Sequence, residues 1–254
     1  MYTPLEDWEF NTLGIYNYRK PGQYDLWFNF VRTNCFRDDG DYAEVGVFNG
    51  KTLLATALLL RELGSTKTIF AYDSFEGFPV KSAIQVEDQI RIPSSQKDLT
   101  FQDQKLFERR RKLVLIAKSL FSEKLNSLNI SNSKDFSTVK LSDLLKKIDF
   151  LGLTNIKIIK GFYSETLNGT CQEMQACGGL FLDCDLYESY RAALKVFWPI
   201  LTTNGMVYLD EYYSIKFPGA KIAVDQYLAD KNFRTINFSG RVDDEFDRIA
   251  IIKQ

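Results

Sequence analysis

The chain of 254 residues carries 32 Lys and Arg against 33 Asp and Glu, a formal net charge of −1, and not one histidine. This length supports one domain with a sizeable core, and 45% hydrophobic with 26% charged residues is a globular balance, while near-zero charge gives no overall pull toward nucleic acid or an anionic membrane. Without histidine there is no Ser-His-Asp or Cys-His nucleophile, no histidine base and no His-ligated zinc, so proton transfer and metal binding fall to carboxylates, Lys, Tyr or Cys.

The first 39 residues open on MYTPLEDWEFN, acidic and aromatic, without the basic start and apolar run of a signal peptide. They are expected to form an N-terminal helical cap segment. Residues 42–47 read as a short strand ending in glycine. Residues 52–62 (TLLATALLLRE) are almost wholly apolar and predict a buried helix, with Gly64 as its C-terminal cap. Residues 68–73 predict a second strand with an acidic end.

Residues 80–150 then break the rhythm, because they separate the second strand from the third by far more than the usual connection. Within them, apolar residues at 106, 113, 116, 120, 121, 125 and 128 have helical spacing. This insertion holds 14 Lys and Arg against 9 Asp and Glu, leaving 18 against 24 in the rest of the chain. A basic cap beside an acidic body favours a phosphate-bearing substrate; a solvated helix face rich in Lys and Arg is the plainer alternative.

Residues 156–159 predict a third strand, and the apolar run 179–183 a central one covered on both faces. A helix over 189–198 stops at Pro199. Residues 206–210 make a fifth strand, 220–229 a helix, and 235–238 and 248–252 two last strands. The pattern predicts an α/β fold: a seven-stranded, mostly parallel, doubly wound sheet in a single domain, with the 80–150 helical insertion over the active site. The four cysteines, Cys35, Cys171, Cys177 and Cys184, include no CxxC pair, which disfavours a disulfide scaffold or zinc knuckle. With no apolar run of about 18 residues, a cytoplasmic chain with reduced thiols is expected.

In open parallel sheets, ligands bind beyond the carboxyl ends of the strands. The first such end reads E-x-G-x-x-x-G over Glu44, Gly46 and Gly50, where Gly46 permits a tight turn and Gly50 a close backbone approach. It is neither the G-x-G-x-x-G dinucleotide fingerprint nor a Walker A loop. The second end carries Asp73, which can accept hydrogen bonds from two ribose hydroxyls or simply cap its turn. The fourth and fifth ends carry Asp183, Asp185, Glu188, Asp210 and Glu211. Like charges gathered on one rim repel and raise one another's pKa unless a cation or hydrogen bonds compensate, and hard oxygen ligands suit Mg²⁺ or Mn²⁺. The alternative is that these acids cap helices or pair with lysines.

Five segments, GDYAEVGVFNGKT, YDSFEGFP, GLTNIKIIKGFYSETL, FLDCDLYESYRAALKVFWPIL and GMVYLDEYYS, together resemble the macrocin O-methyltransferase family (TylF/MycF type) of class I S-adenosylmethionine-dependent methyltransferases. The resemblance covers most of residues 40–230. It implies S-adenosylmethionine held by Glu44, Gly46, Phe48, Gly50, Thr52, Asp73, Ser74, Gly161, Phe162 and Asp183. It further implies a divalent metal (Mg²⁺, with Mn²⁺ or Fe²⁺ as substitutes) on Asp185, Asp210 and Glu211, which would also be the catalytic residues. Where Cys184 and Glu211 stand, the family commonly has Gly and Asp. The implied reaction is methylation of a sugar hydroxyl, on a nucleotide-activated sugar or a glycosylated product, with no nucleic-acid or membrane partner and with room for a homo-oligomer. A catechol-like phenol as acceptor, and a non-catalytic module that keeps the fold, are the rival readings.

Overall fold

The computed structural model describes residues 4–37, 40–79, 116, 134–168, 174–212, 214, 217, 219–237 and 248–254. The helical pattern expected over 101–128, and with it most of the basic insertion, lies outside the described residues.

Two helices, α1 (Asp7–Leu13) and α2 (Asp25–Asn34), precede the first strand. Then follow β1 (Asp41–Val45), α3 (Lys51–Glu62), β2 (Ile69–Asp73), α4 (Leu141–Phe150), β3 (Ile156–Lys160) and a one-turn helix α5 (Tyr163–Thr166). The chain closes with β4 (Cys177–Leu182), α6 (Tyr187–Ile200), β5 (Leu201–Leu209), α7 (Gly219–Leu228), β6 (Phe233–Asn237) and β7 (Ile249–Lys253). The seven strands lie in the order β3-β2-β1-β4-β5-β7-β6. All pair parallel except β7, which runs antiparallel to both β5 and β6. The expected seven-stranded, mostly parallel α/β sheet is present, and its order reverses between β1 and β4, the switch point where open sheets form ligand crevices.

Strand alternation divides the core into two layers. Tyr42, Ile69, Ala71, Phe181, Met206, Tyr208, Ala250 and Ile252 face α2, α3 and the N-terminal segment. Ala43, Val45, Phe70, Tyr72, Leu180, Leu182, Val207 and Ile251 face α6 and α7. Both sheet faces are covered, so the central strands are apolar on both sides. The N-terminal residues contribute Phe10, Trp27, Phe28 and Val31 to the first layer. Trp27 donates its indole N–H to Thr56 Oγ1 at 2.9 Å and so ties α2 to α3.

The predicted boundaries shift for local reasons. Gly64 lies at φ +70°, and the Ser65 N–H reaches the Leu60 carbonyl while the Gly64 N–H reaches Arg61, the paired hydrogen bonds of a Schellman cap. The helix expected to stop at Pro199 instead ends one residue later, at Ile200. The missing proline N–H falls in the last turn, and Lys253 Nζ donates to the Trp198 and Leu201 carbonyls at that end. No helix among the described residues is long and apolar enough to cross a membrane. The described cysteines, Cys35, Cys177 and Cys184, are free and buried.

Candidate active site

The carboxyl end of β1 turns at Gly46, φ +93°, where a Cβ would lie 1.7 Å from the Asp183 carbonyl oxygen. Only a residue without a side chain lets β1 and β4 approach this closely. The loop runs on through Phe48, itself at φ +49°. It ends at Gly50, the φ +81° cap of α3, where a Cβ would meet Leu144 Cδ1 at 2.4 Å. Asp73, at the end of β2, organises this loop. Its Oδ2 accepts the Val47 and Phe48 N–H groups at 2.8 and 2.9 Å, and its Oδ1 accepts the Phe75 N–H at 2.7 Å. A carboxylate offers about four acceptor positions. Among the described residues the three N–H groups leave one position, on Oδ1, rather than the two expected.

Ser74 donates to the Gly77 carbonyl and pins the same turn. Gly161, beyond β3, donates its N–H to the Asp73 carbonyl. Gly46, Phe48, Asp73, Ser74, Phe162, Asp183 and Asp185 line one cleft of about 580 Å³ at the switch point. Glu44, Gly50, Thr52, Gly161, Asp210 and Glu211 do not line it.

Glu44 alternates with Ala43 and Val45 and so points to the α3 face, where it is 2% exposed. One carboxylate oxygen has the Leu53 backbone as partner, in the first turn of α3, and Oε2 has no partner among the described residues. Burial, then the charges of Asp183 and Asp73, push its carboxyl well above the ordinary range.

The ends of β4 and β5 hold the acids. Leu182 pairs with Leu209, so the next residues, Asp183 and Asp210, emerge side by side, with Glu211 following. Asp183, Asp210 and Glu211 each bring one carboxylate oxygen within 4.8 Å of the others. Asp185, expected in that set, is not in it. The chain turns after Asp183, Asp185 adopts φ +57°, and it is its backbone N–H that meets Glu211 Oε2, at 3.4 Å. Asp185 lines the cleft instead. Glu188 starts α6 and pairs with Arg191 at 2.8 Å, so the expected rim of five carboxylates resolves into a cluster of three, a separate Asp185 and an ion-paired Glu188.

Burial and, next, the charge of Asp210 raise the Asp183 carboxyl to about 7. Burial, followed by Asp183 and Asp185, raises Glu211 well above its ordinary value. Two partners compensate in part. Tyr190 donates its hydroxyl to Glu211 Oε2 at 2.5 Å. Arg248 Nε lies 2.5 Å from Asp210 Oδ1, with both side chains 7% exposed, and its guanidinium sits over the Tyr24 ring at 5.4 Å. Neither Arg248 nor Tyr190 was singled out from the sequence. The register that pairs Ile249 with Leu209 sets Arg248 beside Asp210, and no local pattern announces that β7 pairs with β5.

The donor set is chemically suited to a hard divalent cation: among the described residues, three carboxylates stand together with a guanidinium beside Asp210. The cleft is of a size that takes a cofactor-sized ligand, bounded by a close-approach glycine at one point and a free acceptor position on Asp73 at another.

The profile of the Macrocin-O-methyltransferase (TylF) family matches residues 122–238. A demethyldecarbamoylnovobiocin O-methyltransferase of Streptomyces niveus is 27% identical over 191 residues, 75% of this chain and 58% of that relative. The chain thus spans less than two thirds of the length of this curated relative. Among solved structures, the O-methyltransferase NovP is similar with a TM-score of 0.57 at 20% identity, over 89% of this chain and 79% of that one. The calicheamicin methyltransferase CalS11 is similar with a TM-score of 0.52 at 21% identity, over 98% of this chain and 80% of that one. Its ligand-free structure, described as that of a TDP-rhamnose 3′-O-methyltransferase, gives 0.51 at 20% identity, over 98% and 88%. The resemblance to the macrocin O-methyltransferase family carried by the motifs thus has a profile match of its own, and the chain has the α/β, Rossmann-like fold of the class I methyltransferases.

Proposed function

We propose that the chain is an S-adenosylmethionine-dependent O-methyltransferase acting on a sugar hydroxyl, with a divalent cation on Asp183, Asp210 and Glu211. One observation carries this reading: a single cleft joins the glycine turn and Asp73 to Asp183 and Asp185. The family match and the O-methyltransferase relatives support it, and the TDP-rhamnose relative directs attention to deoxyhexose acceptors.

S-adenosylmethionine would bring a methyl group already activated on a sulfonium. The remaining acceptor position on Asp73 Oδ1 suits a ribose hydroxyl, and Gly46, where β1 and β4 close on each other, lines the same cleft. A cation on the three acids would supply a Lewis acid that lowers the pKa of a bound vicinal hydroxyl. Asp185, outside the cluster and facing the cleft, is then the group that takes the acceptor proton. It lines the cleft on a left-handed backbone, and strained conformations of this sort gather at functional sites. Aligning donor and acceptor in one cleft supplies the rest of the rate.

The test is transfer of labelled methyl from S-adenosylmethionine to nucleotide-linked and simple 6-deoxyhexoses, with Mg²⁺ and again with a chelator. Metal-dependent label in the sugar is expected. Label in catechol but in no sugar would overturn the acceptor class, and failure to bind S-adenosylhomocysteine would overturn the methyltransferase reading itself.

A further inference from the structure

We propose that the strap at residues 134–139 is the specificity wall of the acceptor site, and that Phe136, with Phe48 and Phe78, takes the flat C–H face of a hexopyranose ring whose vicinal hydroxyls point to the acids. This rests on the methyltransferase reading above and states where its acceptor ring lies.

The strap is docked by backbone. The Phe78 N–H donates to the Asp135 carbonyl at 2.9 Å. Gly77, at φ +82°, makes this approach feasible, since a Cβ there would lie 2.3 Å from that carbonyl and 2.8 Å from the Ser137 nitrogen. Asp135 Oδ1 accepts the Ser137 N–H at 3.1 Å and its hydroxyl at 2.6 Å, which closes a tight turn around Phe136. Phe136 and Phe48 both sit at positive φ, +62° and +49°. Bulky residues rarely adopt this conformation, and it persists where surrounding structure enforces it.

The enforced result is a continuous wall. The Phe136 ring meets Phe48 at 5.3 Å and 88°, and Phe78 at 5.1 Å and 69°. Phe78 in turn meets Phe217 at 6.3 Å. Phe48 follows β1, Phe78 follows β2 and Phe217 lies in the segment after β5, so the ring series draws on strand ends from both sides of the switch point. Phe48, Phe78 and Phe136 share their cleft with Asp183 and Asp185. An aromatic face carries negative potential that attracts polarised C–H groups. A pyranose offers such C–H groups on a face and vicinal hydroxyls on its edge, which matches an aromatic wall beside an acid cluster.

The experiment uses methyl α-L-rhamnopyranoside as probe, with the full chain, S-adenosylhomocysteine and Mg²⁺. Saturation of the protein's aromatic protons is expected to transfer to the ring C–H protons of the sugar. Phe136→Ala should reduce that transfer at least threefold, Phe136→Tyr should retain it, and Gly77→Ala, which displaces the strap with Phe136 intact, should reproduce the loss. Calorimetry of S-adenosylhomocysteine should give the same affinity for Phe136→Ala as for the unaltered chain. No transfer in the unaltered chain when S-adenosylhomocysteine binds would overturn the proposal, as would transfer unchanged by Phe136→Ala. A parallel loss of S-adenosylhomocysteine affinity would assign the wall to the donor and overturn it too. Absence of S-adenosylhomocysteine binding in the unaltered chain is a different outcome, and it would remove the methyltransferase reading beneath the proposal.

Discussion

The two ends of the cleft solve opposite electrostatic problems. Beyond β1 and β2, a single carboxylate, Asp73, is held by three backbone N–H groups, so its charge is matched by fixed dipoles. Beyond β4 and β5, three carboxylates converge, with the Arg248 guanidinium and the Tyr190 hydroxyl among the described groups that meet them. The first end has three of the four acceptor positions of its carboxylate filled by backbone. At the second end burial and, next, the charge of Asp210 raise the Asp183 carboxyl to about 7. The difference separates a carboxylate matched by backbone dipoles from a cluster of carboxylates crowded at two neighbouring strand ends.

That contrast can be broken at either end. Gly46→Ala should have the largest effect, because the new Cβ meets a carbonyl oxygen at 1.7 Å on a φ +93° backbone. β1 and β4 would have to part, at about 4 kcal/mol of stability by denaturant unfolding, adding overpacking to strain. A loss near zero would mean that the two strands can part freely there.

At the acid end, Arg248→Met leaves Asp210 buried without its ion-pair partner and should cost about 3–5 kcal/mol. The double variant Asp210→Asn, Arg248→Met should recover part of that loss, since it removes the stranded charge as well. If the single and double variants melt together, Arg248 is not the counter-ion of Asp210.

Glu44→Gln should act in the opposite direction and depend on pH. Burial holds the Glu44 carboxyl well above its ordinary value, so the folded chain keeps a proton that the unfolded chain releases above about pH 4.3. Stability therefore falls as pH rises from there through the folded value, then levels off. Removing the titrating group should make the variant more stable than the unaltered chain at pH 8, with the difference vanishing near pH 4. Thermal melts at the two pH values check it, and a destabilised variant at pH 8 would contradict it.

The smallest effect belongs to the exposed Lys160–Glu76 pair, 2.9 Å apart across the ends of β3 and β2. Lys160→Ala should change stability by about 0.5 kcal/mol or less, as solvent-screened pairs do.

Much of this was legible in the sequence because it depends on local pattern. Apolar runs ending in an acid marked the strands, and the unbroken apolar run at 179–183 marked a central strand covered on both faces. Gly46 and Asp73 stood out as strand-end residues. What stayed hidden depends on register. Nothing adjacent to Asp183 and Asp185 tells which of the two aligns with Asp210; the Leu182–Leu209 pairing does. Arg248 is an isolated cation in sequence and becomes a counter-ion only because β7 inserts antiparallel between β5 and β6. Glu44 reads as a ligand-facing acid from its motif, yet strand parity turns it under α3. Phe136 falls in a stretch with neither helical nor strand period, and only its docking on Gly77 reveals it as part of the cleft.

Titration with Mn²⁺, followed by its electron paramagnetic resonance signal, tests most directly whether the acid end holds a cation. The unaltered chain should bind one Mn²⁺, Asp183→Asn should weaken that binding by at least about tenfold, and Asp185→Asn should leave it within about threefold, because a ligand contributes more than a neighbour does. No binding by the unaltered chain, or a loss confined to Asp185→Asn, would contradict the assignment of the site to Asp183, Asp210 and Glu211.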